Sequence, residues 1–146
     1  MKHRRILLVD DDLDDRLLFA DLLKAIDPDA LLTIAENGLE MIALLGKTAD
    51  ADLPQMIILD QNMPKMTGKE SLASLKESQR YRDIPTFIYS TYQVRDFYRE
   101  CLDLGACDVV AKPDTMRDYR EMIQHFLLYS ADAHPDKVQP PRSSNK

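Results

Sequence analysis

Gln55-Met56-Ile57-Ile58-Leu59-Asp60 runs directly into Gln61-Asn62-Met63-Pro64-Lys65-Met66-Thr67-Gly68. An apolar run closed by a carboxylate, then by a turn carrying Pro and Gly, describes a buried strand with an acid at its C-terminal end. Open α/β sheets place their ligands outside that end of their strands. Two other stretches share the pattern. Ile6-Leu7-Leu8-Val9 runs into Asp10-Asp11-Asp12, and Val109-Val110-Ala111 runs into Lys112-Pro113.

Working outward, strand-length apolar runs alternate with segments of helical period. Strands are expected at Arg5 to Asp10, Leu31 to Ala35, Gln55 to Asp60, Thr86 to Ser90 and Asp108 to Ala111. Helices are expected at Leu13 to Ile26, Leu39 to Leu45, Gly68 to Ser78, Gln93 to Leu104 and Asp114 to Ser130, with a loop from Gly46 to Pro54. Strand and helix repeated five times, the strands buried rather than alternating, predict a doubly wound α/β fold. Its five-stranded parallel sheet would be covered on both faces.

The 146 residues suffice for one domain with a real core, and 45% hydrophobic with 30% charged residues is a globular balance. The ordered domain is expected over 4–132. From Ala133 onward Pro, Ser, Lys and Asn prevail, which predicts a disordered tail over 133–146. No apolar run approaches the roughly 20 residues of a membrane span, and Ile6 to Val9 is too short for a signal sequence. A cytoplasmic protein without membrane contact is expected. The net charge of −6 argues against a nucleic-acid surface. Cys101 and Cys107 match no zinc or disulfide spacing and are expected reduced and half buried.

Gathered at one sheet edge, Asp10, Asp11 and Asp60 would put three negative charges in one pocket. A divalent cation that prefers oxygen, Mg²⁺ being the natural one, would offset them together with Lys112. Asp60, expected to be ionised near neutral pH, could then attack a phosphoryl group without a general base. Lys112 and the hydroxyl of Ser90 or Thr91 would take up charge on the phosphoryl oxygens. Other readings fit less well. Asp10-Asp12-Asp14 imitates an EF-hand opening, but Asp15 stands where Gly belongs and Asp21 where Glu belongs. A haloacid-dehalogenase-type phosphatase needs a second acid two residues after the nucleophile, and Asn62 is there. A flavodoxin-like electron carrier needs a Ser, Thr and Gly phosphate loop after the first strand, where acids stand instead. The acid run by itself is equally a helix cap with dipole compensation.

In combination these motifs resemble the receiver domain of two-component response regulators, of the stand-alone, CheY-like type. They are the acid pair after the first strand, Asp-x-x-Met-Pro-x-Met-x-Gly from Asp60 to Gly68, the hydroxyl ending the fourth strand and Lys112-Pro113 after the fifth. The likeness covers about Arg4 to Ser130 and implies the flavodoxin-like strand order 2-1-3-4-5. It implies Asp60 as phosphoacceptor from a histidine kinase or histidine phosphotransfer protein. Asp11 would bind Mg²⁺ directly, Asp10 largely through water, and Asn62 through its backbone carbonyl. Ser90 is the implied switch hydroxyl, with Thr91 second to it, and Lys112 the phosphate-binding lysine. Asn62 and Tyr92 fall where side chains tune hydrolysis of the acyl phosphate.

The same resemblance implies signalling through an unknown downstream protein, and a homodimer through the fourth helix, fifth strand and fifth helix. Two departures stand out: Val109 where a switch aromatic is usual, and Asp114 where Phe is common. The long connection before the third strand and the extended last helix are similar to those of small receivers that partner bacteriophytochrome-type kinases. A phosphorylation-independent interaction module and a Mg²⁺-dependent phosphatase acting on outside substrates are the competing classes.

Overall fold

The computed structural model describes residues 3–91 and 95–129, Arg95 by its backbone alone. Among the described residues, eleven elements follow one another along the chain. They are β1 (Arg5–Val9), α1 (Leu13–Ile26), β2 (Leu31–Ala35), α2 (Gly38–Gly46), a 3-10 turn (Asp50–Asp52), β3 (Met56–Asp60), α3 (Gly68–Lys76), β4 (Thr86–Ser90), α4 (Arg95–Leu104), β5 (Asp108–Ala111) and α5 (Met116–Leu127). The strands pair in parallel in the order β2-β1-β3-β4-β5, so the expected fold and strand order hold.

Side-chain alternation divides the core in two. Leu7, Val9, Ile57, Leu59, Ile88 and Val109 pack with Met41, Leu45, Leu72, Leu75 and Cys101 of α2, α3 and α4. Ile6, Leu8, Met56, Ile58, Phe87 and Tyr89 pack with Phe19, Leu22, Tyr119, Met122 and Phe126 of α1 and α5. That parity sends Asp10, Asp60 and Tyr89 toward the α1 and α5 side of the sheet edge.

Three expectations are corrected. The strands are not all buried: β2 lies at the edge and leaves Leu31 52% and Ile34 36% exposed. Cys101 is fully buried rather than half buried, because it faces the sheet from α4. The loop from Gly46 to Pro54 contains the 3-10 turn Asp50–Asp52.

Boundaries shift where capping decides them. Asn37 caps α2 by accepting from Glu40 N–H at 2.9 Å, so that helix starts at Gly38 rather than Leu39. Thr115 caps α5 by accepting from Asp118 N–H at 3.0 Å, so that helix starts at Met116 rather than Asp114, and it ends at Leu127 rather than Ser130. Helix α3 stops at Lys76, two residues short of expectation. Gln93, Val94, Ser130 and the tail over 133–146 lie outside the described residues.

Candidate functional site

The sheet register brings the strand ends level. Val9 stands beside Leu59, Asp60 beside Tyr89, and Ser90 beside Ala111. The chain continues that ladder for one step past each strand: Asp10 N–H donates to Ala35 O, Gln61 N–H to Tyr89 O, and Lys112 N–H to Ser90 O. Asp10, Asp60 and Lys112 therefore leave the sheet at one edge. Asp10 and Asp60 are buried, Asp11 is exposed, and each offers a carboxylate oxygen within 4.8 Å of the others. Three hard oxygen donors without a soft ligand suit a divalent cation of the Mg²⁺, Mn²⁺ or Ca²⁺ kind.

The acid run after β1 is divided between two tasks. Asp12 caps α1, its Oδ2 accepting from Asp15 N–H at 2.9 Å. Asp10 and Asp11 face the pocket. Asp10 Oδ1 accepts from Asp12 N–H at 2.9 Å, and Oδ2 accepts from the Tyr89 hydroxyl. Arg16 donates to the Asp10 carbonyl at 3.0 Å from inside α1. Capping and pocket were rival readings of one motif, and different residues of it carry each.

Asp60 Oδ1 accepts from Asn62 N–H at 3.2 Å, and Lys112 Nζ lies 3.7 Å from the same oxygen. Asn62 Oδ1 in turn accepts from Thr91 N–H at 3.3 Å, tying the turn after β3 to the end of β4. Ser90 is buried beneath this link and Thr91 is exposed. Tyr92 lies outside the described residues. The turn itself is shaped by Lys65, whose φ of 70° is left-handed, and by Gly68. A Cβ on Gly68 would stand 2.6 Å from the Asp60 carbonyl oxygen and 2.9 Å from Gln61 Cα.

Electrostatics set a condition on the ionisation of Asp60. Its burial, and then the Asp10 charge beside it, push its carboxyl up to about 7 against the opposing pull of Lys112. Without an added positive charge, part of it is protonated at neutral pH rather than fully ionised. Burial likewise raises Asp10, opposed by the Tyr89 hydrogen bond. Burial draws the Lys112 ammonium down, but Asp15, Asp10 and Asp60 outweigh it and hold it above its usual range.

Two residues of the site were not foreseen. Asp15 takes Lys112 Nζ at 2.6 Å, closer than Asp60 does. Its signal was its place in the first turn of α1, masked by four other acids in the run. Tyr89 reaches Asp10, and its ring carries Lys112 Nζ 5.2 Å from its centroid. Strand parity could have found it, since Asp60 and Tyr89 are register partners.

Fold and pocket together define a doubly wound α/β protein whose sheet edge carries a cation-competent acidic cleft flanked by a lysine. Residues 6–124 match the family model described as the response regulator receiver domain, and the chain belongs to that family of two-component signalling domains. Among curated relatives, the two-component response regulator ORR5 of Oryza sativa is 34% identical over 122 residues, spanning 84% of this chain and 87% of that protein. Among solved structures, the phosphorylated cyanobacterial phytochrome response regulator RcpA superposes with a TM-score of 0.81 at 24% identity, covering 96% of this chain and 99% of that one. The Mn²⁺-bound form of response regulator Rcp1 superposes with a TM-score of 0.77 at 28% identity, covering 94% and 99%. No helix among the described residues is long and apolar enough to cross a membrane.

Proposed function

We propose that this receiver accepts a phosphoryl group on Asp60 from a phosphohistidine donor, with Mg²⁺ held by Asp10, Asp11, Asp60 and the backbone carbonyl of Asn62. The convergence of three carboxylates within 4.8 Å, with Lys112 3.7 Å from Asp60, carries the reading. An Asp60 carboxylate oxygen bonds phosphorus as the bond from phosphorus to the donor imidazole nitrogen breaks, and that nitrogen keeps the electron pair. Lys112 takes up charge on the phosphoryl oxygens, and Ser90, with Thr91 as the second hydroxyl, donates to them. Bound Mg²⁺ supplies the positive charge that keeps the Asp60 carboxyl ionised in its buried site. Asn62 and Tyr92 are the proposed tuners of hydrolysis.

The donor is a histidine kinase or a histidine phosphotransfer protein, a kinase of the bacteriophytochrome type being the first to try because of the long connection before β3. Leu13 and Leu17 of α1 and Met116 of α5 are more than half exposed on the two helices that begin beside the pocket, which suits a docking protein. The domain is proposed to span 4–132, to act in the cytoplasm and to signal through protein contacts. The face of α4, β5 and α5 is the proposed homodimer surface.

The test is incubation with acetyl phosphate and Mg²⁺ followed by intact mass. One phosphoryl adduct, absent in Asp60→Asn, is expected. A wild-type chain without an adduct overturns the reading in favour of a phosphorylation-independent interaction module.

A further inference from the structure

Tyr89 has no part in the roles proposed above, yet its hydroxyl reaches the floor of the acidic pocket. The ring is fully buried among the residues that join the sheet to α1 and α5. Its hydroxyl donates to Asp10 Oδ2, while Asp10 Oδ1 takes the Asp12 N–H. The Tyr119 hydroxyl of α5 donates to the Tyr89 oxygen at 3.3 Å, and the two rings meet edge to face with centroids 6.2 Å apart. Phe19 of α1 closes on Tyr119 in the same manner, with centroids 6.5 Å apart.

Packing alone does not account for this arrangement. Leu or Phe would fill the core at position 89, and a buried phenol hydroxyl is unfavourable unless it is partnered. Here the partner is one of the three carboxylates of the cation cluster. A carboxylate held through one oxygen can turn about its Cβ–Cγ bond. One held through both oxygens, by donors on different elements, has its plane fixed. Asp12 N–H comes from the start of α1 and the Tyr89 hydroxyl from β4, and Tyr119 keeps that hydroxyl in place from α5.

We infer that Tyr89 is a positioning residue of the cation site: it fixes the plane of the Asp10 carboxylate and so favours a small cation of strict geometry over a larger, tolerant one. Mg²⁺ requires a nearly ideal octahedron with oxygens at about 2.0–2.1 Å, whereas Ca²⁺ accepts six to eight oxygens at about 2.3–2.6 Å in flexible arrangements. A carboxylate set free to turn penalises the first much more than the second. The inference rests on the cation site proposed above and adds what selects the ion there.

The test uses the full chain and Mn²⁺, whose free form is counted by electron paramagnetic resonance, with Mg²⁺ and Ca²⁺ as competitors. Removing an outer partner of a metal ligand lowers affinity by about 10–100-fold. In Tyr89→Phe, which keeps the ring, Mg²⁺ is expected to compete about tenfold less well and Ca²⁺ less than about threefold less well. Mg²⁺ affinity within threefold of wild type, or an equal loss of both ions, overturns the inference. Should Tyr89→Phe not fold, Tyr119→Phe carries the test. There a Mg²⁺ loss of about threefold with Ca²⁺ unchanged supports the inference, and no change for either ion overturns it. A wild-type chain that binds no Mn²⁺ overturns the cation reading and this inference with it. Normal wild-type binding beside an unaltered variant overturns the inference alone.

Discussion

At the residue scale, the buried acid that makes the site also burdens the fold. Asp60 has its carboxyl pushed up to about 7, mainly by burial, from the ordinary 3.8 of an unburied aspartate. The folded chain therefore binds more protons than the unfolded one between those two values. The stability this contributes is fully present below about 4 and is lost as pH rises through about 7. Asp60→Asn removes that dependence. Thermal unfolding without divalent cations should show the variant gaining about 2–4 kcal/mol over wild type at pH 8, a gain that shrinks toward pH 4. A gain independent of pH would contradict the assignment. Asp15 supplies a second prediction. It holds Lys112 at 2.6 Å while Asp60 waits at 3.7 Å, and partly exposed ion pairs contribute up to about 1 kcal/mol. Asp15→Asn should release Lys112 toward Asp60 and speed the adduct from acetyl phosphate about two- to fivefold, read as initial rate by intact mass. A slower adduct would mean that Asp15 steers the lysine instead. Asp10, Asp11, Asp60, Ser90 and Lys112 could be picked from sequence because each follows an apolar run. Asp15 and Tyr89 carry weaker signals, a place in the first turn of α1 and strand parity, because their importance comes from which oxygen and which nitrogen they meet in three dimensions.

At the element scale, the turn between β3 and α3 sets where Asp60 and Asn62 stand. It is closed at its far end by a capping box, Thr67 Oγ1 accepting from Glu70 N–H at 3.1 Å and Glu70 Oε1 from Thr67 N–H at 2.9 Å. Gln61 ties it again, accepting from Lys69 N–H at 2.7 Å through its side chain and from Gly68 N–H at 3.2 Å through its carbonyl. Gly68 lets α3 start directly against the Asp60 carbonyl, where a methyl group would overlap main chain that cannot yield. Gly68→Ala is expected to lower stability by about 1–3 kcal/mol in denaturant titration, and to slow the adduct because the turn must move away from Asp60. Thr67→Ala should lose about 1 kcal/mol of capping yet leave the adduct rate within about twofold. Equal effects of both variants on the rate would show that helix stability, not the approach at Gly68, governs the site. Elements were legible in the sequence wherever period and length agreed: α1, β2, β4 and β5 match their expected bounds. The larger misjudgements, at α3 and α5, fall where a cap or a following turn competes with apolar periodicity that runs on past it, while β1, α2 and β3 differ by one residue at one or both ends.

At the scale of the whole molecule, the two ends of the sheet are built from different side chains. Acids crowd the C-terminal edge, and arginines close the N-terminal one. Arg4 donates to Leu127 O at 3.3 Å and pairs with Asp27 at 3.8 Å. Arg5 donates to Leu53 O at 3.0 Å and fastens the connection before β3. Arg80, in the turn after α3, gathers that connection more fully. It donates to Leu45 O at 3.0 Å and to Thr48 O, pairs with Asp50 at 2.6 Å, and lies over the Tyr81 ring at 5.4 Å. None of these groups touches the acidic pocket, and β3 runs its full length between them and Asp60. This is the ordinary division of labour in open α/β sheets, chemistry at one end and closure at the other. It separates stability from function in a way that a mutation can read. Arg80→Ala should raise amide exchange over residues 47–54, where the connection has few other anchors. It should leave both the acetyl phosphate adduct on Asp60 and Mg²⁺ competition for the pocket within about twofold of wild type, because separated sites without shared partners act independently. A variant that exchanged faster in the connection and also lost the adduct would show that the two ends are coupled through β3.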